Sequence, residues 1–128
     1  MRPFVNLSNH PSIQWPEDQL LAARNLGDVI DLPFPDVNPS WTLHEVSQIA
    51  DGLVESLAIQ FLDQEAPIVL VQGEMTLLYQ ILVRLKKKQW RALAATTQRD
   101  VHRLDNGTEI RRFVFCGFRD YYDINDQE

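Results

Sequence analysis

An uninterrupted apolar run at residues 67–71, Pro-Ile-Val-Leu-Val, constrains the fold more than any other stretch. A strand without polar alternation is typical of a parallel sheet that helices cover on both faces. The segment before it repeats apolar residues every three or four positions, which predicts an amphipathic helix from Thr42 to about residue 63. Thr42 and Glu45 match a capping box at its start. These two neighbouring elements predict an α/β protein.

Strands and helices are predicted to alternate along the rest of the chain. A strand at residues 4–7 precedes a helix at 16–26, a strand at 28–32, a helix at 75–88 and a strand at 91–95, and two strands at 101–104 and 110–118 flank the turn Asp105-Asn106-Gly107. This order predicts a Rossmann-like three-layer α/β sandwich, a mostly parallel sheet with a C-terminal antiparallel hairpin. The first and third strands are expected side by side at the switch point of the sheet.

The length of 128 residues suits one domain, predicted at residues 1–119, followed by an acidic tail at 120–128. No apolar run is long enough to cross a bilayer and none resembles a signal-peptide core, so a cytoplasmic protein without membrane contact is expected. Cys116 is the only cysteine, which excludes an internal disulfide and is interpreted as a buried structural thiol.

The charge distribution bounds the class of ligand. A net charge of -6 argues against long nucleic acid, because affinity for a polyanion comes mostly from neutralising its phosphates. Ten of the twelve Lys and Arg nevertheless lie within residues 84–119. This concentration of cations predicts a positive edge that is compatible with a small anionic ligand.

Three polar segments follow predicted parallel strands, at residues 8–12, 72–76 and 96–99. The carboxyl ends of parallel strands share one edge of a sheet, so these segments are expected to line one crevice. Gly73 would let the backbone approach a ligand, and the amides after it would hold a phosphate or carboxylate oxygen. With one glycine and no Lys-Ser/Thr pair, the segment is neither a P-loop nor a dinucleotide motif.

His10 and Glu74 are the candidate catalytic residues. His10 suits proton transfer near neutral pH, with Glu74 holding it or a nucleophile in position. The alternatives are an exposed or capping histidine and a glutamate that only complements the helix dipole. Arg99 suits bidentate phosphate binding or is a solvated charge. Further candidate ligand contacts are Ser8, Asn9, Ser12, Gln72, Gly73, Thr76, Thr96 and Thr97. The threonines among them are equally suited to turns and helix caps.

The sequence does not predict a metal site or a serine nucleophile. His10, His44 and His102 lie on unrelated segments without ligand spacing. Ser8 and Ser12 lack the Gly-x-Ser-x-Gly elbow.

Four short motifs carry a resemblance to a known family. Residues 6–12 (Asn-Leu-Ser-Asn-His-Pro-Ser), Gln19 with Ala22-Ala23, Gln72-Gly73-Glu74 and Thr96-Thr97 resemble small stand-alone CRISPR-associated proteins related to CARF (CRISPR-associated Rossmann-fold) domains. The resemblance implies a CARF-like homodimer that binds a cyclic oligoadenylate of type III CRISPR defence across its two-fold axis. In several such families it also implies slow metal-independent cleavage of the ring, without a cofactor.

The chain departs from the family at two places. Asn9 separates Ser8 from His10, where some relatives place serine directly before histidine, and residues 96–99 lack the usual glycines and lysine, leaving Arg99 as a substitute phosphate contact.

A ring nuclease is the preferred reading. His10 would assist attack by a ribose 2′-hydroxyl on its own phosphate, while amides near Gly73 and the Arg99 side chain stabilise the charge and Asn9, Gln72 and Thr96 orient the nucleotide. One alternative is a module that binds the same messenger without cutting it. Another is an unrelated α/β regulator that docks a protein through Phe113, Phe115 and Phe118 beside Arg111, Arg112 and Arg119.

Overall fold

The computed structural model describes residues 1–124 and shows a mixed α/β fold. Its elements are β1 Pro3–Ser8, a short 3-10 turn Ser12–Gln14, α1 Glu17–Leu26, β2 Asp28–Pro33, α2 Leu43–Gln60, β3 Ile68–Val71, α3 Met75–Lys87, β4 Ala92–Arg103 and β5 Glu109–Asp120. The strands form one sheet in the order β2-β1-β3-β4-β5, parallel except for the antiparallel pair β4 and β5. The predicted mostly parallel sheet with a C-terminal hairpin is confirmed, as is the pairing of the first and third strands.

The central strands β1 and β3 are buried on both faces of the sheet, and β3 shows this directly. Val69 and Val71 join the larger apolar cluster, which contains side chains of α2 and α3. Ile68 and Leu70 join the smaller cluster, which contains Ala23 of α1. Residues 67–71 lack polar alternation because both sides of this strand face helices.

Local signals fix the helix ends. The Thr42 hydroxyl accepts the Glu45 amide while the Glu45 carboxylate accepts the Thr42 amide, so the predicted capping box is present. Arg84, Lys86 and Lys87 occupy the last turn of α3, where cations complement the negative end of the helix dipole. Within residues 1–124, none of the helices has the length and apolar content to cross a membrane.

The prediction of a strand, a loop at residues 96–99 and a further strand is wrong, because β4 runs continuously through this segment. A β-bulge between Thr96 and Thr97 marks the place. Beyond it the strand pairs only with β5 and is largely exposed, so the sequence lacks the apolar alternation of a half-buried strand. The turn at Asp105-Asn106-Gly107 is confirmed, with Gly107 at a φ of 86°.

The outer parts of β4 and β5, residues 97–116, form a structure that we call the hairpin arm. The last residue of β4 that pairs with β3 is Leu93, which lies opposite Leu70. β3 ends one residue later, at Val71. β4 then continues to Arg103. At about 3.3 Å per residue, the arm extends about 30 Å past the carboxyl edge of the parallel strands.

Two further predictions are corrected near the C-terminus. Asp120 is the last residue of β5 and pairs with Arg91 at 2.7 Å, so it does not begin a separate tail. The Tyr121 hydroxyl donates to the Val71 carbonyl at 2.7 Å, and residues 125–128 lie outside the described residues. Cys116 is exposed because it lies on the arm, where no helix covers it.

Candidate functional site

The loop after β1 is held by a side chain inside that strand. Asn6 is buried, and its Nδ2 donates to the His10 carbonyl and to Asp31 Oδ1, both at 2.9 Å. The Ser8 hydroxyl donates to Asn6 Oδ1 at 2.7 Å and accepts the His10 amide at 3.2 Å. The Asp31 carboxylate on β2 also accepts the Ser12 hydroxyl at 3.0 Å. These bonds fix the loop backbone.

A crevice of about 320 Å³ opens where β1, β3 and β4 leave the covered part of the sheet. This is the switch point of the sheet, because the chain turns to β2 on one side of β1 and to β3 on the other. Four predicted site residues line it, Ser8, His10, Gln72 and Thr97, together with Gln14, Trp15, Pro16, Gln19, Leu70 and Ala95.

Gln19 is the most informative residue of the crevice. It is only 8% exposed, yet its side-chain amide makes no hydrogen bond to any of the residues that the structure describes. Neighbouring polar groups are satisfied, since the Trp15 indole donates to the His10 carbonyl at 2.9 Å. No fully buried side-chain nitrogen or oxygen in residues 1–124 lacks a hydrogen-bond partner, so the Gln19 amide is not enclosed in the core but reaches the space of the crevice. Gln19 therefore presents a donor and an acceptor to whatever occupies the crevice.

The segment after β3 closes on itself instead of facing a ligand. Glu74 is the N-cap of α3, and its carboxylate accepts the amides of Thr76 and Leu77, both at 2.9 Å. The Thr76 hydroxyl donates to the same carboxylate at 2.7 Å. This bond has the largest effect on the pKa of Glu74, and together with the two amide bonds it holds that pKa below its ordinary value. The amides expected to bind an anion are thus occupied by Glu74.

Gly73 has a packing role. An added Cβ would overlap the buried ring of Phe34, which follows β2. The glycine admits this ring to the core, so its presence does not require a ligand.

The remaining predicted residues lie outside the crevice. Thr96 donates its hydroxyl to the Gly117 carbonyl at 3.0 Å, across the β-bulge. Asn9 is exposed beside the crevice loop, and Ser12 bonds Asp31. Arg99 is exposed on the hairpin arm. Because side chains alternate along a strand, Arg99 shares a face with Thr97, one step further out.

Sequence reasoning missed Gln14 and Trp15 as lining residues and gave Gln19 no role of its own. Trp15 and Gln19 are four positions apart at the start of α1, so their side chains lie on the same face of that turn. Because this turn follows β1 closely in the sequence, that face could have been predicted to lie beside the end of β1. The role of Asn6 also had a signal, a polar residue between apolar ones in the buried strand Pro3–Ser8.

A larger groove of about 970 Å³ lies between α2 and α3. Its flank carries the Asp51–Arg84 ion pair, and Arg84 also donates to Gln80. These polar groups satisfy one another, whereas the Gln19 amide in the crevice does not have a partner among residues 1–124. The crevice is therefore the better candidate for a specific site.

Most donors and acceptors of the crevice are side-chain amides and hydroxyls. None of the lining residues that the structure describes is Lys or Arg, and none is a carboxylate. In residues 1–124 no group of three or more His, Cys, Asp or Glu is placed to hold a metal ion. The arrangement suits amide and ring recognition, with His10 exposed and available for proton transfer.

Comparison with known proteins gives one family. No curated protein and no solved structure matches the chain. The match to the family extends over residues 2–119, which include every strand but for the last residue of β5. The chain therefore belongs to the Uncharacterized protein MJ1673 family.

Proposed function

We propose that the crevice binds an adenosine unit of a cyclic oligoadenylate and that the protein is a Rossmann-like, CARF-related ring nuclease acting as a homodimer. The observation that supports the binding step is the Gln19 amide, which reaches the crevice at the switch point of the sheet and makes no hydrogen bond within residues 1–124. The resemblance of residues 6–12, 72–74 and 96–97 to CARF-related proteins supplies the class of ligand.

An adenine base matches the polar groups of the crevice. Asn and Gln amides pair with the N6 donor and N7 acceptor of adenine through one donor and one acceptor, which is what Gln19 offers. Trp15 is half-buried in the same wall, and aromatic rings stack with bases. The volume of about 320 Å³ is at the small end for ligand sites and suits one nucleoside instead of a whole ring.

Cleavage would use the ring's own ribose. The 2′-oxygen forms a bond to the adjacent phosphorus while the bond from phosphorus to the 5′-oxygen breaks, giving a linear product with a 2′,3′-cyclic phosphate. The 2′-hydroxyl loses a proton and the 5′-oxygen gains one, so no oxidant or co-reactant is needed. His10, exposed at the crevice, would assist these transfers. Positioning would supply most of the rate.

One observation favours the module that binds without cutting. The Glu74 carboxylate is committed to the start of α3, so it does not orient His10 in this arrangement. A histidine without an orienting partner is a weaker general base. The negative charge of the phosphates would also have to be neutralised by a residue outside the crevice lining, and Arg99 of the arm is the candidate.

Incubation of the purified protein with cyclic tetra-adenylate and hexa-adenylate in metal-free buffer tests both steps, with free, bound and cleaved nucleotide resolved. Gln19→Ala is expected to weaken binding at least about tenfold, because the base loses the hydrogen bonds that the Gln19 amide would make with it. His10→Ala is expected to remove the linear product and leave binding in place. Gln48→Ala, on the exposed surface of α2, is the matched control.

The outcomes distinguish the ring nuclease from the binding module and test whether the protein binds the nucleotide at all. Tight binding without product in the unmodified protein would support the binding module. Absence of binding to either ring, or equal binding by Gln19→Ala and the unmodified protein, would refute the nucleotide proposal.

A further inference from the structure

The hairpin arm exposes apolar side chains that a lone hairpin does not need. Phe113 is 72% exposed and Val101 is 45% exposed. The register pairs Phe113 with Arg99 and Val101 with Arg111, so these four side chains share one face of the arm. Two strands without a covering layer are marginally stable in water. A partner that covers this face would stabilise the arm.

The same face is cationic. Arg99, Arg103 and Arg111 lie on it with Glu109 as the one acid, and Glu109 pairs with Arg103 and Arg111. Arg99 has no ion pair with any residue of the described chain. Because Arg99 follows Thr97 of the crevice wall on the same face, the cationic face begins beside the crevice.

The topology places three exposed acids, which we call the acidic patch, on the side of the crevice away from the arm. α1 begins and β2 ends at the carboxyl edge of the sheet, where Glu17, Asp18 and Asp36 are exposed. Residues 3–23 and 25–83 contain no Lys or Arg, so nothing in these segments neutralises the patch. One chain therefore carries a cationic arm and an acidic patch on opposite sides of one crevice.

We propose that the hairpin arm binds the acidic patch of a second copy of this chain. Two copies with their carboxyl edges facing each other are related by a two-fold axis, so each arm meets the patch of its partner in two identical contacts. Phe113 and Val101 are covered, Arg99 approaches the acids, and the two crevices face each other.

The size of the arm limits the strength of this assembly. The paired face from Thr97 to Arg103 is about 20 Å long and two strands wide, so it offers about 200 Å². Two symmetric contacts, each covering a similar area on the partner, bury about 800 Å² in total, which is in the range of weak, transient interfaces. A dimer of modest, concentration-dependent stability is expected.

A nucleic acid is the less favoured occupant of the arm. A two-stranded ribbon with arginines can enter a groove of a duplex. However, residues 97–116 carry four arginines against three acids, and the whole chain has a net charge of -6. A neighbouring acidic surface is attracted to the arm face, whereas a long polyanion is repelled by the rest of the chain.

Sedimentation equilibrium of the full chain without nucleotide tests the proposal. The unmodified protein is expected to dimerise in the micromolar range, and Phe113→Ser is expected to raise the dimer dissociation constant at least about tenfold. Leu62→Ser, at a 77% exposed leucine following α2, is the matched control and should leave it unchanged. Circular dichroism of each variant confirms that its monomer folds.

Charge reversal tests the contact between arm and patch. Arg99→Glu and Asp36→Lys should each weaken the dimer, and the double variant should recover part of the loss, because the complementarity is reversed on both sides. Added salt should also weaken the dimer. The control for this pair is Asp63→Lys, an exposed acid after α2.

A monomer at all concentrations would overturn the proposal. Equal effects of Phe113→Ser and Leu62→Ser, no recovery in the double variant, or a monomer that binds an RNA or DNA duplex through Arg99 would also overturn it. The inference shares with the proposed function the expectation of a homodimer. Because the assay contains no nucleotide and Gln19→Ala should dimerise normally, the two proposals can fail separately.

Discussion

At the scale of the residue, buried polar groups separate structural from ligand-binding roles. Asn6 and Ser8 are buried, and their side chains bond each other and the His10 backbone. Gln19 is also largely buried, but its amide reaches the crevice and makes no hydrogen bond within residues 1–124. Asn6 and Ser8 therefore hold the loop, whereas Gln19 is the residue that we propose contacts a ligand.

Gly73→Ala is expected to destabilise the protein by about 1–3 kcal/mol, because the new Cβ would overlap the Phe34 ring in a packed core. Gly52→Ala is the contrasting control, since an added Cβ there meets nothing within 4 Å and α2 gains helix propensity. Urea unfolding of both variants measures the costs.

A double variant checks the cause. Combining Gly73→Ala with Phe34→Leu should cost less than the two changes summed, because the smaller side chain relieves the overlap. Additive costs would show that the packing explanation is wrong.

At the scale of the element, the start of α3 shows how one side chain serves several backbone groups. Glu74 satisfies two amides that no earlier turn of the helix can reach, and its negative charge complements the dipole. The catalytic role assigned to Glu74 from the sequence stays a prediction, and this geometry provides a structural reason for the residue.

Glu74→Ala is expected to lower the melting temperature at neutral pH, because α3 loses its cap. The pKa of Glu74 is lowered in the folded state from 4.5, so its ionised form stabilises the fold above pH 4.5. That contribution is lost as the pH falls below 4.5 through the lowered pKa. The difference between the variant and the unmodified protein should therefore shrink in acid.

Melting curves between neutral pH and about pH 3 follow this difference across the window set by the lowered pKa. Glu55→Ala, at an exposed glutamate of α2, is the control and should melt like the unmodified protein. A difference that stays constant in acid would contradict the capping role of the ionised carboxylate.

At the scale of the whole molecule, the two tyrosines after β5 tie the C-terminal segment to the sheet. Tyr121 bonds the last carbonyl of β3, and the Tyr122 hydroxyl donates to the Trp90 carbonyl at 2.5 Å. Both hydrogen bonds form only when the C-terminal segment lies beside the sheet, so they depend on the complete fold.

Stability is expected to decline above about pH 10 in a way that depends on Tyr122. Burial, with a smaller effect of the Asp120 charge, raises the pKa of Tyr122 from 10.0 to about 12. A raised folded-state pKa stabilises the protein below the unfolded value, and this stabilisation is lost as the pH rises from 10 to about 12. Tyr122→Phe should remove that part of the alkaline decline.

Urea unfolding between pH 8 and pH 11, with tyrosinate absorbance followed in parallel, measures this effect. Tyr79→Phe is the control, because Tyr79 is exposed on α3. Equal alkaline decline in Tyr122→Phe and the unmodified protein would refute the prediction.

The sequence determined the elements whose signals are local. The apolar run at β3, the capping box of α2 and the turn at Gly107 each depend on a few neighbouring residues. Their order along the chain also implied a mostly parallel sheet, because strands separated by helices pair in parallel.

Only the tertiary structure decided what depends on distant partners. β4 continues through residues 96–99 because β5 returns beside it, and polar residues suit an arm that solvent surrounds. The crevice likewise needs the start of α1 to lie against the ends of β1 and β3, which brings Trp15 and Gln19 beside Gln72. Such contacts join residues more than fifty positions apart, and no local pattern encodes them.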